Sequence, residues 1–159
     1  RPVREEAHAR FSATSRTYRY YVTLRKDPFQ EVRMLRLYFP LDFDRMNEAA
    51  GRLKDFTDFT SFSKLHTDVK TNNCRVTEAY WQAGVEEGQW IFTITADRFL
   101  RNMVRAVVGT LFQVGKGRLS VEDFCAVIEA KDRGQAGSSA PAHALYLEQV
   151  GYPEDLYLD

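Results

Sequence analysis

The sequence predicts an α+β fold, in which a mainly antiparallel β-sheet carries helices packed on one face. Segments rich in aromatic and β-branched residues alternate along the chain with segments whose apolar residues recur at helical spacing. Two of the extended segments are joined by a short link with a glycine at each end, as in a hairpin of antiparallel neighbours. This order is typical of an α+β domain, and we expect the opposite face of the sheet to be open for a ligand.

Length and composition limit the class of protein. The 159 residues are enough for one domain that buries about 70% of its unfolded surface. No apolar run approaches the roughly 20 residues that a membrane span needs. Cys74 and Cys125 are too few and too far apart for a disulfide scaffold or a zinc cluster, and the histidines show no ligand spacing. We therefore expect a single domain over residues 1–159, in the cytoplasm, with no metal.

The charges are balanced in number but not in position. The chain has 22 basic and 22 acidic residues, yet its first 26 residues hold six arginines and a lysine against two glutamates. Such asymmetry is compatible with a basic face for a polyanion, and arginine suits phosphate contacts better than lysine does. Solvated surface charge is the alternative interpretation.

The first half of the chain predicts a strand, a short extended run and a helix. Residues 17–24 alternate, with Tyr18 and Tyr20 on one face and Arg19 on the other. Residues 34–39 form the short extended run. The stretch Leu41-Asp42-Phe43-Asp44 supplies the N-cap of a helix whose apolar positions recur from residue 43 to residue 53.

The middle of the chain predicts a loop and then a hairpin. Residues 64–73 are polar and irregular, which indicates the loop. Residues 74–81 and 90–96 have the composition of strands, and the link at residues 84–88 makes them antiparallel neighbours.

Residues 97–111 predict a helix with one buried and one basic face. Arg101 and Arg105 are i,i+4 neighbours, and no acidic residue lies between Asp97 and Glu122 to pair with them. Their anion should therefore lie on another segment or another molecule. Gly109 shares their face and lets another group approach the helix backbone. The alternative is an ordinary amphipathic helix with a solvated basic face.

The last third predicts two helix boundaries and a final strand. The pair of glycines at residues 115–117 is suited to end the arginine helix. Ser120 is placed to cap the next helix, with Lys131 and Arg133 near its end and Gly134 just past it. Residues 145–150 form the final strand.

Six motifs, in order, resemble the second half of the TruA family of tRNA pseudouridine synthases. No one of them is specific by itself, but together they extend over nearly the whole chain. They are AHARFSA at 7–13, RTYRY at 16–20, DFTSF at 58–62, FLRNMVR at 99–105, AKDR at 130–133 and APAHALYL at 140–147.

The resemblance implies an enzyme that isomerises uridine to pseudouridine in the tRNA anticodon stem-loop. It also implies a homodimer and a redox-neutral reaction without a cofactor. The family's nucleophilic aspartate lies in a G-R-T-D-x-G-V-H-like motif, to which Thr67-Asp68-Val69 is only a poor match. We therefore expect this chain to be the C-terminal half, with the nucleophile outside it, and to be inactive alone.

The resemblance assigns roles to three site residues. Tyr18 matches the tyrosine that stacks on the target base, Arg105 the arginine that pairs with the catalytic aspartate, and Leu145 the apolar residue that keeps water from the pocket. From the residues alone, core packing is the favoured interpretation of Tyr18, and it also stays open for Leu145.

The resemblance also implies contacts with RNA. His8, Arg10, Arg19 and Lys26 match regions that grip the tRNA. The loop from His66 to Lys70 matches one that takes part in base flipping, and Arg101 is a candidate phosphate contact. Two alternatives stay open: an RNA-binding sheet that presents aromatic residues without catalysis, and a purely structural dimer domain.

Overall fold

The computed structural model of the protein describes residues 14–26, 28–29, 31–64 and 71–151, and it confirms the predicted α+β architecture. None of the helices in these ranges is long and apolar enough to cross a bilayer. The strands are β1 (Ser15–Thr23), β2 (Leu35–Arg36), β3 (Val76–Ala83), β4 (Gln89–Ala96) and β5 (Leu145–Gly151), and the α-helices are α1 (Phe43–Arg52), α2 (Met103–Gly115) and α3 (Val121–Ala130).

The sheet is built around β1. This strand pairs antiparallel with β4 and with β5, and β4 pairs antiparallel with β3 in the predicted hairpin. β2 is much shorter than the extended run predicted at 34–39 and pairs parallel with the end of β1. It stays short because β1 itself ends at Thr23, whose carbonyl oxygen accepts the last bond of the pair from the Leu37 amide at 2.9 Å.

The helices pack on one face of the sheet. Tyr20, Phe92 and Ile94 from the two central strands are completely buried on that face. The Tyr20 ring meets Phe112 of α2 edge to face, with 6.5 Å between ring centroids. The predicted alternation in β1 therefore places Tyr18 and Tyr20 toward the helices.

Helix α1 begins where the sequence predicts and also contacts the edge strand β3. The Asp42 carboxylate accepts a hydrogen bond from the Arg45 amide at 3.1 Å, which is an N-cap. The Asn47 side-chain amide donates to the Trp81 carbonyl at 3.0 Å and accepts from the Trp81 N–H. Asn47 thereby satisfies both main-chain groups of a residue in the middle of the edge strand β3.

Helix α2 differs from the prediction at its start and on its second face. It begins at Met103 rather than near Asp97, because Asn102 adopts a left-handed conformation with φ of 68°. Its predicted polar arc is also less open to solvent than expected: Gly109 is buried against a segment near residue 138, and Arg105 and Gln113 are half-buried, although Arg101 is exposed. The predicted end is confirmed: the helix stops at Gly115, and Gly117 has φ of +80°.

Helix α3 has the predicted start but an earlier end. Ser120 and Asp123 form a reciprocal capping box. The helix stops at Ala130, with Lys131 in the left-handed conformation. Gly134, expected just past the helix, instead lies within a short 3-10 turn at 133–135, where its amide donates to the Asp132 carboxylate at 2.9 Å.

Candidate active site

A cavity of about 290 Å³ lies between the start of α2, the first half of β1 and the start of β5. Its lining contains all three residues that the resemblance assigns to the site and the candidate phosphate contact Arg101. The lining residues are Tyr18, Lys64, Phe99, Leu100, Arg101, Asn102, Met103, Val104, Arg105 and Leu145. Residues from distant parts of the sequence therefore meet at one place.

The cavity lies on the helix side of the sheet, not on the open face that the sequence suggested for a ligand. Tyr18 shares the face of the buried Tyr20, two residues further along β1. Residues 99–102 are not helical, and they form a wall of the cavity as they lead into α2. The late start of α2 thus places this irregular segment beside the end of the sheet.

Tyr18 is held by the sheet and by one aromatic neighbour. Its backbone pairs with Ile94 of β4 on one side and with Leu147 of β5 on the other. Its ring meets Phe99 edge to face, with centroids 5.1 Å apart and planes at 89°. The half-buried phenol is therefore fixed in orientation while it still lines the cavity.

Arg105 lies in the first turn of α2, and part of its hydrogen-bonding capacity is used within the chain. Its Nε donates to the Ala140 carbonyl at 2.7 Å, and its own carbonyl accepts from the Ala140 amide at 2.9 Å. Across the described ranges, no carboxylate meets its two terminal nitrogens, and none lines the cavity. Those nitrogens are available to an anion brought from elsewhere.

The cavity attracts negative charge. Lys64, Arg101 and Arg105 line it, and the N-terminus of α2, the positive end of its dipole, opens onto it. A hydrogen bond from the Lys64 amide to the Arg101 carbonyl, 3.1 Å long, holds the two segments together. The charge of this rim is therefore suited to an anionic group.

Six of the ten residues that line the cavity were not among the predicted site residues. Phe99 and Asn102 could have been found, because they belong to the motif at 99–105. Lys64 carries no such signal: it follows the buried Phe59 and Phe62, whose packing places it at the cavity.

Tyr20 lies behind the cavity and has a structural role. Its hydroxyl donates to the Pro141 carbonyl at 2.7 Å. Burial raises its pKa well above the ordinary value, and the positive charge of Arg105 opposes that shift only in part. Tyr20 therefore stays protonated at neutral pH and acts as a hydrogen-bond donor to the segment around Pro141.

Two of the other predicted RNA contacts, Arg19 and Lys26, do not line this cavity. Arg19 lies on the opposite face of β1, paired with Tyr146 and Thr93, and Lys26 follows the far end of that strand. The remaining ones, His8, Arg10, His66 and Lys70, lie outside the described residues. Within the described ranges, no cluster of three His, Cys, Asp or Glu side chains is placed to hold a metal ion.

Comparison with known proteins assigns the chain to a family. The family profile described as tRNA pseudouridine synthase matches residues 51–153, a stretch that includes Arg105 and Leu145. The chain belongs to the tRNA pseudouridine synthase family.

Individual relatives carry the same description. The chain is 68% identical over 157 residues to the tRNA pseudouridine synthase A of Porphyromonas gingivalis, covering 99% of this chain and 62% of that protein. It is 62% identical to that of Parabacteroides distasonis, covering 98% and 61%, and 42% identical to that of Bacillus velezensis, covering 91% and 59%. The chain thus spans about three-fifths of the length of these tRNA pseudouridine synthases.

Proposed function

We propose that the protein containing this chain is a tRNA pseudouridine synthase that acts on uridine in the anticodon stem-loop. The observation that carries the proposal is the meeting of Tyr18, Arg105 and Leu145 at one cationic cavity. We also propose a homodimer that works in the cytoplasm without a cofactor. The reaction breaks the bond between N1 of the base and the sugar and forms a bond from C5 to the same carbon. N1 gains a proton and C5 loses one, so no oxidant or reductant is needed.

The nucleophile is supplied from outside these residues. No match to the family's aspartate motif occurs in the sequence, and no carboxylate lines the cavity in the part of the chain that the structure describes. Arg105 receives this carboxylate with its two terminal nitrogens, because its Nε is already bound to Ala140. A guanidinium held in this way presents two parallel donors, the geometry that suits a carboxylate. It also favours the ionised form by lowering the carboxyl pKa by roughly 1–3 units.

The other cavity residues receive the flipped nucleotide. Flipping costs a few kcal/mol, and stacking on an aromatic ring returns about 1–3 kcal/mol per base. Tyr18 supplies that ring, braced by Phe99. Leu145 covers the apolar side of the cavity and keeps water from the reacting atoms, while Arg101 and Lys64 at the rim contact phosphate.

More distant cations position the rest of the tRNA. Arg19 and Lys26 lie away from the cavity, so they would meet parts of the tRNA other than the target base. We propose the same kind of contact for His8 and Arg10, and a part in base flipping for the segment from His66 to Lys70. Such phosphate contacts fix the register of the substrate without reading its sequence.

The first test measures conversion directly. The intact protein is incubated with an unmodified anticodon stem-loop RNA, and pseudouridine is detected as carbodiimide-dependent stops in primer extension. We expect conversion by the intact protein and none by the 159-residue chain, whose folded state is checked by its melting curve. Tight RNA binding without conversion by the intact protein would favour the non-catalytic RNA-binding function instead.

The second test concerns Arg105. In Arg105→Lys a single nitrogen cannot serve both Ala140 and a carboxylate, so the variant should lose nearly as much activity as Arg105→Ala. Breaking a buried pair costs about 3–5 kcal/mol, which corresponds to a rate loss of about 100-fold or more. Arg101→Lys is the matched control, because Arg101 is exposed, and we expect only a mild effect. Full activity in Arg105→Lys would remove Arg105 from the site.

A further inference from the structure

Residues 137–141 form a segment that lies directly along helix α2. A Cβ atom built on Gly109 would come within 1.8 Å of the Ser138 carbonyl oxygen. At the neighbouring position the Gly137 amide donates to the Thr110 hydroxyl at 2.9 Å. We call this segment the brace.

The brace ends on Arg105. Ala140 exchanges two hydrogen bonds with that residue: its amide donates to the Arg105 carbonyl, and its carbonyl accepts from the Arg105 Nε. The next residue, Pro141, accepts the Tyr20 hydroxyl bond. Ala140 is 3% exposed, so the contact that orients the guanidinium is shielded from water. The plane of the Arg105 guanidinium is therefore set by where the brace lies.

Arg133 holds the other end of the brace. Its Nη1 donates to the Gly137 carbonyl and its Nη2 to the Ser139 hydroxyl, both at 3.0 Å. The Ser139 hydroxyl also accepts from the side chain of Asn102, the residue that precedes α2. Arg133 therefore holds Gly137 and Ser139 together, and Ser139 in turn connects the brace to Asn102 in the wall of the cavity. Arg133 itself does not line the cavity.

We propose that Arg133 is a positioning residue, which fixes the Arg105 guanidinium toward the cavity by fixing the brace. The proposal rests on the proposed function for its effect on turnover, but its structural part stands separately. A planar guanidinium supplies two donors at a fixed angle to Gly137 and Ser139, whereas a lysine supplies a single nitrogen that cannot reproduce the fork. This role gives a physical reason for the AKDR motif at 130–133, to which the catalytic scheme assigns no part.

The first measurement does not depend on enzymatic activity. In intact protein labelled with ¹⁵N-arginine, the Arg105 Nε–H should give a signal protected from exchange with water, identified by its loss in Arg105→Lys. In Arg133→Lys we expect that signal to shift and its exchange with water to accelerate tenfold or more. Arg118→Lys is the control, because Arg118 is exposed and should leave the signal unchanged. An unaltered Arg105 signal in Arg133→Lys would overturn the proposal.

The second measurement is a double-mutant cycle on turnover. Misplacing a group by about 1 Å can cost about 100-fold, so Arg133→Lys should lower kcat tenfold or more while KM stays within about twofold. In the Arg105→Ala background the same change should have almost no further effect, because its target is gone. An equal loss in both backgrounds would show that Arg133 acts independently of Arg105.

Ser139→Ala supplies a milder perturbation if Arg133→Lys folds poorly. It removes the hydroxyl that Arg133 and Asn102 share, and we expect the same direction of change in the Nε–H signal and in kcat. Unchanged values for both would contradict the proposal. If the unaltered protein forms no pseudouridine, the proposed function fails, whereas the exchange measurement still tests whether Arg133 orients Arg105.

Discussion

Replacing Gly109 by alanine should displace the brace and destabilise the protein, although alanine is the better helix former. The new Cβ would lie 1.8 Å from the Ser138 carbonyl oxygen, where ordinary contacts begin at 3.4 Å, so the brace must move by about 3.4 − 1.8 = 1.6 Å. That movement breaks the two bonds between Ala140 and Arg105 and the bond from Gly137 to Thr110. At about 1 kcal/mol each the loss is about 3 kcal/mol, against a gain of about 1 kcal/mol in helix propensity.

The net destabilisation of about 2 kcal/mol corresponds to a fall in Tm of about 4–8 °C for a domain of this size. Thermal unfolding followed by circular dichroism measures it. Gly51→Ala is the matched control: Gly51 also lies in a helix, and no atom lies within 4 Å of its Cβ position. That change should stabilise the protein by about 0.4–1 kcal/mol. A Tm for Gly109→Ala at or above that of the unaltered protein would refute the reasoning.

Three further predictions concern Tyr18, the buried thiol and phenol groups of Cys74 and Tyr20, and a helix cap. Tyr18→Leu should weaken tRNA binding by about 1–3 kcal/mol and lower activity, whereas Tyr18→Phe should keep the binding; unchanged activity for Tyr18→Leu in the conversion assay would make this residue part of the core. Burial raises the pKa of Cys74 from 9.0 to about 11 and raises that of Tyr20 above 10.0. The unfolded chain therefore releases these protons first, and stability should fall as pH rises above 9. Melting curves at pH 7, 9 and 10.5 should show this fall, reduced in Cys74→Ala; the same fall in that variant would exclude Cys74 as a cause. Ser120→Ala removes half of a capping box and should cost about 1 kcal/mol in chemical denaturation, while Ser138→Ala, with an exposed side chain, should cost little.

The sequence predicts most elements of the fold because their signals are local. The alternation in β1, the hairpin of β3 and β4, and the caps at Asp42 and Ser120 each depend on residues that are close in the chain. The errors occur where contacts with residues far away in the sequence determine where a helix begins or ends. Helix α2 starts late because Asn102 adopts the left-handed conformation while its side chain bonds Ser139. Helix α3 ends early, and the amide of Asp132, two residues beyond it, bonds the distant Ser61 hydroxyl.

The candidate site could be predicted as a set of residues but not as a shape. Arg101 and Arg105 have no acidic partner nearby in the sequence, which indicated that an anion from elsewhere would approach α2. The missing side chain at Gly109 indicated that another group would approach the helix backbone. The structure shows the segment, around Ser138. Periodicity could not show that Lys64 reaches the cavity or that the cavity lies on the helix side, because both depend on the packing of segments far apart in sequence.

The side-chain amide of Asn47 makes one edge of the sheet different from the other. A strand edge with free main-chain groups is where other polypeptides add on and begin to aggregate. Along β3 that addition is interrupted at Trp81, whose N–H and carbonyl are both occupied by Asn47. Across the described residues β5 pairs only with β1, and Leu147 on it is 51% exposed. Among the described residues, a further strand is therefore hindered at Trp81 of β3, whereas no such contact occupies the outer main-chain groups of β5.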